Sequence, residues 1–234
     1  MRLTDYHWWM ETGAGQAARV AVGVIIFVGL ALWDYDKNGP RATRWREYAI
    51  LLACVMAALL YGAINDQITT TISWEYFAYG KGIAEVVPVG EPPNSPRFRW
   101  EAAKIGMQAT WTAGLLIGVA LLVANNPFRD TPRLPYRRLL RFVPLVLAVT
   151  ALTSAVFATA GYFGAFMAFN SDFREMVAAD QWRPKHFMAV YGEHLGGYVG
   201  GLLGTTIAVV RVIRQRRRGR TAAGGFPVST SQPL

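Results

Sequence analysis

Phe187-Met-Ala-Val-Tyr-Gly-Glu-His-Leu-Gly-Gly-Tyr-Val-Gly-Gly-Leu-Leu-Gly-Thr-Thr-Ile-Ala-Val-Val210 is the stretch on which the fold turns. It carries one carboxylate, Glu193, and one imidazole, His194, in an otherwise uncharged run. About 20 such residues cross a hydrocarbon core of roughly 30 Å as a helix. Gly192, Gly196, Gly200 and Gly204 stand four apart. That period puts them on one helical face and lets a second helix approach closely. The run then ends in Arg211, Arg214, Arg216, Arg217, Arg218 and Arg220, the mark of a cytoplasmic membrane boundary.

Working outward, four more apolar segments are expected to span: 17–33, 49–64, 105–124 and 142–169, with 187–210 as the fifth. Arg19 near the start of the first is tolerable, because a long Arg stem snorkels to the interface. Asp5, His7 and Glu11 precede that segment and no small-residue cleavage site follows it, so it reads as a retained helix rather than a signal peptide. The fold class is therefore an all-α polytopic transmembrane bundle. One membrane-embedded unit covers 1–220, and a Gly-, Ser-, Thr- and Ala-rich tail at 221–234 is expected to be disordered.

The charge of +9 is distributed by topology. The loops 34–48 and 125–141 and the tail after Val210 hold 15 of the 24 Lys and Arg but only four acids, Asp34, Asp36, Glu47 and Asp130. These basic regions alternate along the chain with regions of slightly negative balance. Positive charge stays on the cytoplasmic side, so the N-terminus is expected outside and the C-terminus inside. The basic surplus then faces lipid headgroups rather than nucleic acid. Cys54, the single cysteine, lies in an apolar run and reads as a small buried hydrophobe.

Two constellations could carry chemistry at the non-cytoplasmic side. The first is Asn65-Asp66-Gln67-Ile68-Thr69-Thr70-Thr71-Ile72-Ser73-Trp74-Glu75-Tyr76-Phe77, with eight polar side chains in thirteen. On a continuous helix Asp66, Thr70 and Ser73 share a face and Glu75 points away; a bend would let both carboxylates converge. The bland alternative is an interfacial stretch with an aromatic belt. The second is His186, Tyr191, Glu193, His194 and Tyr198 on the last span. Glu193 and His194 lie roughly 10 Å below the start of the apolar run. Ionisable groups at such depth are costly and usually face a bundle interior with partners. Here the bland alternative is a structural ion pair.

If the constellations meet, Asp66, Glu75, His186 and His194 form a donor set that suits a divalent metal such as Zn. No HExxH, HxH or CxxC spacing supports it. A metal-free proton or cation pathway uses the same residue types.

The stretch Tyr61-Gly62-Ala63-Ile64-Asn65-Asp66-Gln67-Ile68-Thr69, followed by Ser73-Trp74-Glu75-Tyr76-Phe77, resembles a signature in a group of bacterial polytopic inner-membrane proteins of uncharacterised activity, YGxxxDQ[IV]T…SxEYF. Their last span is similar to His194-Leu-Gly-Gly-Tyr198-Val-Gly-Gly201. The group often has Gly-His-Pro after the Phe, where this chain has Ala78-Tyr79-Gly80-Lys81. The resemblance implies a fold and a site position, and no activity. The leading expectation is a polar site acting as a membrane hydrolase on a lipid-linked substrate or as a cation or proton pathway. Thr70, Ser73, Tyr191 and Tyr198 would orient its ligand. The rival is a non-catalytic subunit or assembly factor of a larger complex, using Gly192, Gly196, Gly200 and Gly204 to meet a partner or a second copy.

Overall fold

The computed structural model describes the backbone of residues 13–126 and 132–223 and, within them, the side chains of 21–126 and 132–219. Among these residues there is no strand. Eight helices follow one another: α1 Gly13–Asn38, α2 Arg44–Ile72, α3 Ile83–Val86, α4 Pro96–Asn125, α5 Tyr136–Leu140, α6 Phe142–Tyr162, α7 Asn170–Arg174 and α8 Pro184–Ala223. Four stretches are long and apolar enough to cross a membrane: α2, α4, α5 with α6 as Tyr136–Tyr162, and α8 over Pro184–Gly219. The chain is thus an all-α, multi-pass membrane protein. The expected first span falls inside α1, whose described side chains run into Asp34, Asp36 and Lys37; it is not among the four.

The chain divides into a unit up to Ala49 and a unit from Ile50 onward. In the first, buried Asp34 governs the local geometry. Its carboxylate accepts from Arg44 N at 2.9 Å and from Asn38 Nδ2 at 2.8 Å. Arg44 opens α2, so Asp34 satisfies an otherwise free N–H of the first turn and sits at the positive end of the helix dipole.

The second unit is inverted relative to a soluble bundle. Leu52, Met56, Leu60, Ile64 and Ile68, four apart on α2, are exposed, while Ala58, Gly62, Asp66 and Thr70 of the same helix are buried. Lipid accepts the large apolar side chains, so small and polar residues are free to make the helix contacts. At the α2–α4 crossing, a Cβ on Gly62 would lie 2.2 Å from the Gly106 carbonyl oxygen, and one on Gly106 equally close to that of Gly62. One turn along, Thr110 Oγ1 donates to Ala58 O at 2.8 Å. Gln67 and Arg99 exchange side chain-to-carbonyl bonds, both 2.8 Å.

The glycine stripe of α8 packs within the chain, against α6. Added Cβ atoms on Gly192, Gly196, Gly200 and Gly204 would meet Phe157, Phe157, Thr150 and Val146 at 3.0 Å or less. Within the chain, α6 is thus the helix that the stripe admits.

Two apolar clusters cap the unit. One gathers Leu121, Leu139, Phe142, Val146, Ala208 and Val212. The other gathers Tyr76, Phe77, Phe98, Phe187, Met188 and Val190. The polar layer of the candidate site lies between them along α2, α6 and α8.

Several expected boundaries shift. α2 runs eight residues past Ile64, and within that extension buried Thr69 and Thr70 donate to the carbonyls of Asn65 and Asp66. α4 begins at Pro96 rather than 105, with Ser95 Oγ capping Phe98 N at 3.1 Å. α6 stops at Tyr162 rather than Phe169, where the chain turns through Gly164 at φ +100°, a backbone region that favours glycine. α8 continues through the Arg-rich segment to Ala223, three residues into the expected disordered tail; residues 224–234 lie outside the described part.

Candidate functional site

Asp66 stands one turn beyond Gly62 on α2, beside the Gly62–Gly106 crossing, and a Cβ on Gly106 would approach its carboxyl carbon to 2.9 Å. Only glycine there leaves room for the carboxylate between the helices. From α8, Glu193 and His194 reach the same layer. His194 Nε2 lies 3.5 Å from Asp66 Oδ1, an ion-pair distance and long for a hydrogen bond. Its Nδ1 is 3.1 Å from Glu193 Oε2 and 2.9 Å from the Val190 carbonyl oxygen. Asn65 Nδ2 bridges the two acids, donating to Glu193 Oε2 at 3.2 Å and more weakly to Asp66 Oδ1 at 3.4 Å.

The proton count of this cluster is constrained by its geometry. Among the described residues, the polar neighbours of the two ring nitrogens are acceptors: Val190 O, Glu193 Oε2 and Asp66 Oδ1. An imidazole donates on both sides only when it carries two protons. With one proton on the ring, one side faces a carboxylate oxygen with no hydrogen between, unless that carboxyl holds it.

The layer also holds polar atoms without partners. Asp66 is 3% exposed, and its Oδ2 makes no hydrogen bond. The Tyr61 hydroxyl and Ser154 Oγ, from α2 and α6, are likewise buried without one of normal geometry. Tyr61 faces Ser154 and lies within electrostatic reach of Glu193 and Asp66. A buried carboxylate oxygen with nothing to accept from is costly, so a proton, a water or a cation is the natural complement.

The aromatic cluster closes one end of the layer. The Tyr76 and Phe77 rings lie 5.0 and 6.0 Å from the His194 ring. Lys81 Nζ sits 5.5 Å over the Tyr76 ring. Burial pushes the Lys81 amine below the ordinary lysine range, with the Asp66 carboxylate opposing. Burial also pushes the Tyr76 phenol up.

Glu75 belongs elsewhere. α2 ends at Ile72 and the chain winds through a wide π-turn, Tyr76–Gly80, before Gly82 at φ +72°. Fully buried Glu75 accepts two bonds from Arg183, Nε to Oε1 at 2.6 Å and Nη2 to Oε2 at 2.7 Å, and one from Ser73 Oγ at 3.0 Å. The bonds to Glu75 hold the Arg183 guanidinium above its ordinary range.

The remaining expected residues scatter. His186 stacks edge-on against Tyr162 at 5.6 Å. Tyr191 packs among Phe166, Phe169 and Phe173. Tyr198 is 63% exposed, one turn beyond His194. Thr70 is spent on the Asp66 carbonyl and Ser73 on Glu75. Asp66 and His194 of the expected metal set do meet, whereas Glu75 and His186 are engaged apart from them. Glu193 and Asp66 flank opposite nitrogens of His194, and among the described residues no three His, Cys, Asp or Glu are placed to hold a metal ion.

Tyr61, Ser154, Gly106 and Lys81 were not offered as site residues from the sequence, and Asn65 entered only as the start of the polar run, yet a signal existed for most. Tyr61 and Asn65 are one turn apart on α2, on the flank next to the Gly62–Asp66 face. Ser154 is the one serine on an apolar helix, one turn from Thr150, and Gly106, Thr110, Gly114 and Gly118 repeat the four-residue spacing of α8.

No family model, no curated protein and no solved structure matches the chain.

Proposed function

We propose that this chain is a membrane protein whose bundle carries a proton-exchanging site, Asp66–His194–Glu193, serving a proton or small-cation pathway. The observation that carries the reading is the buried Asp66 Oδ2 without a partner beside an imidazole whose two nitrogens face only acceptors. A purely structural ion pair would satisfy both carboxylate oxygens, as Glu75 does with Arg183. Here the surplus of acceptors favours a site that gains and loses a proton.

In the five-span arrangement with the N-terminus outside, the site lies in the non-cytoplasmic half of a plasma (inner) membrane. Asp66 is six residues from the end of α2, roughly 9 Å along the helix axis. Protons would reach it past the Tyr76–Lys81 segment, whose π-turn is a backbone form frequent at working sites.

The test is proton flux. Purified protein is reconstituted into vesicles enclosing a pH-sensitive dye, and a potassium diffusion potential is imposed. Wild type is expected to acidify or alkalinise the lumen with the sign of the potential. Asp66→Asn and Glu193→Gln are expected to lower the rate at least about tenfold, since a group that must carry the proton is gone. Equal rates in wild type, in both variants and in protein-free vesicles would sink the reading.

A further inference from the structure

A second site lies at the opposite end of the second unit. A cavity of about 370 Å³ is lined by Arg138, Arg141, Phe142 and Gln215. Such a volume falls within the lower range of small-ligand sites. Arg138 belongs to α5, Arg141 links α5 to α6, Phe142 opens α6, and Gln215 comes from α8. The two arginines are three residues apart, about one helical turn, and both are exposed, as is Gln215. No acid lines the cavity, and neither guanidinium makes an ion pair among the described residues.

The surroundings hold this end in place. Asn125 and Leu134 exchange two hydrogen bonds, at 3.0 and 2.8 Å. Buried Arg216, next to Gln215, donates to the Ala124 and Pro132 carbonyl oxygens at 2.6 and 3.2 Å. The Ala124 carbonyl is one of the last in α4, so Arg216 neutralises the negative end of that helix. Arg216 is thereby occupied, while Arg138 and Arg141 are left to face the cavity.

We infer that this cavity binds the phosphate of an anionic phospholipid headgroup. Arg presents a planar fork of N–H donors that matches phosphate oxygens two at a time. The Gln215 amide adds a donor without adding charge, and the Phe142 ring supplies an apolar wall. The cavity stands where Tyr136–Tyr162 and Pro184–Gly219, two helices able to cross a membrane, reach their basic ends. Phospholipid phosphates are the most concentrated anions at such a boundary, and basic pockets between membrane helices hold them.

The experiment is native mass spectrometry of the full chain in neutral detergent, titrated with phosphatidylglycerol or phosphatidylcholine. One phosphatidylglycerol per chain is expected to bind in preference to phosphatidylcholine. Arg138→Gln with Arg141→Gln is expected to weaken it at least about tenfold, the loss of two charge-assisted contacts. The control is Arg133→Gln with Arg211→Gln, which removes the same charge from the same end outside the cavity, and it is expected to change binding less than about twofold. Equal weakening in both double variants would overturn the site in favour of diffuse attraction. Displacement of the lipid by millimolar inorganic phosphate alone would overturn the lipid source and assign the cavity to free phosphate. Thermal unfolding of each variant separates loss of binding from loss of fold.

Discussion

Asp66 and Glu75 are two buried carboxylates nine residues apart, and the protein treats them in opposite ways. Glu75 is held by a bidentate arginine and a serine, so both of its oxygens are saturated and charge is matched. Asp66 shares one oxygen between a distant imidazole nitrogen and a weak amide bond and leaves the other without a partner, in a layer that also contains Glu193. The first arrangement fixes a structure: it ties the π-turn after α2 to the approach of α8. The second is under-satisfied, which is what the proposed proton-exchanging site requires. Saturation, rather than burial, separates the two roles.

The comparison breaks first on stability. Glu75→Gln leaves Arg183 without its counter-charge, and Arg183→Met strands a fully buried carboxylate. Each is expected to lower unfolding stability in detergent by about 3 kcal/mol, at the lower end for buried pairs because Arg183 is 44% exposed. Glu75→Met with Arg183→Met together should recover much of that loss. Calorimetric unfolding of the three variants decides it; no loss in either single variant would remove the claim that this pair is a structural lock.

Next in size is Gly106→Ala. The new methyl group meets the Gly62 backbone and the Asp66 carboxyl carbon, so α2 and α4 must part. A cost of about 2 kcal/mol is expected, together with loss of proton flux. The matched control is Gly23→Ala in α1, where no atom lies within 4 Å and Ala favours the helix. If Gly106→Ala proved as harmless as Gly23→Ala, the close α2–α4 crossing would be wrong.

Smaller still is the stability effect at the site itself. Asp66→Asn removes a buried charge that was only half satisfied, so unfolding should shift by less than about 1 kcal/mol, while proton flux falls. A loss as large as that of Glu75→Gln would recast Asp66 as a second structural pair. Smallest of all are His186→Gln and Tyr198→Phe. One ring packs against Tyr162 and the other lies largely outside the bundle, so both should stay within about 0.5 kcal/mol and keep full flux.

The sequence made the helical membrane fold legible because apolar length, glycine spacing and arginine clusters are local signals. Glu193 and His194 stood out in the sequence as ionisable residues at depth and Asp66 as part of a polar run, and the structure brings the three side by side. What stayed hidden depends on partners far along the chain. The pairing of Glu75 with Arg183 spans 108 residues, and nothing in Ser73-Trp74-Glu75 announces it. The end of α2 carries neither Pro nor Gly, so the choice between a continuous helix and a bend waited on that pairing. Tyr198 shares the helix of His194 and looked equivalent, yet it sits on the face turned from the bundle. Arg216 was counted with the tail's boundary charge, but α8 carries it to the end of α4, where it is buried. The fourth span was drawn to Phe169 because Phe163, Phe166 and Phe169 are apolar, although they serve a turn and an aromatic cluster after Tyr162.

The most direct measurement is infrared titration of carboxyl groups in the reconstituted full chain, following the C=O stretch of protonated carboxylic acid as pH is varied. A titrating buried-carboxyl band is expected in wild type, altered or lost in both Asp66→Asn and Glu193→Gln, and retained in Glu75→Gln that still folds. A band that survives both substitutions, or that disappears only with Glu75→Gln, would contradict a proton-exchanging site at Asp66, Glu193 and His194.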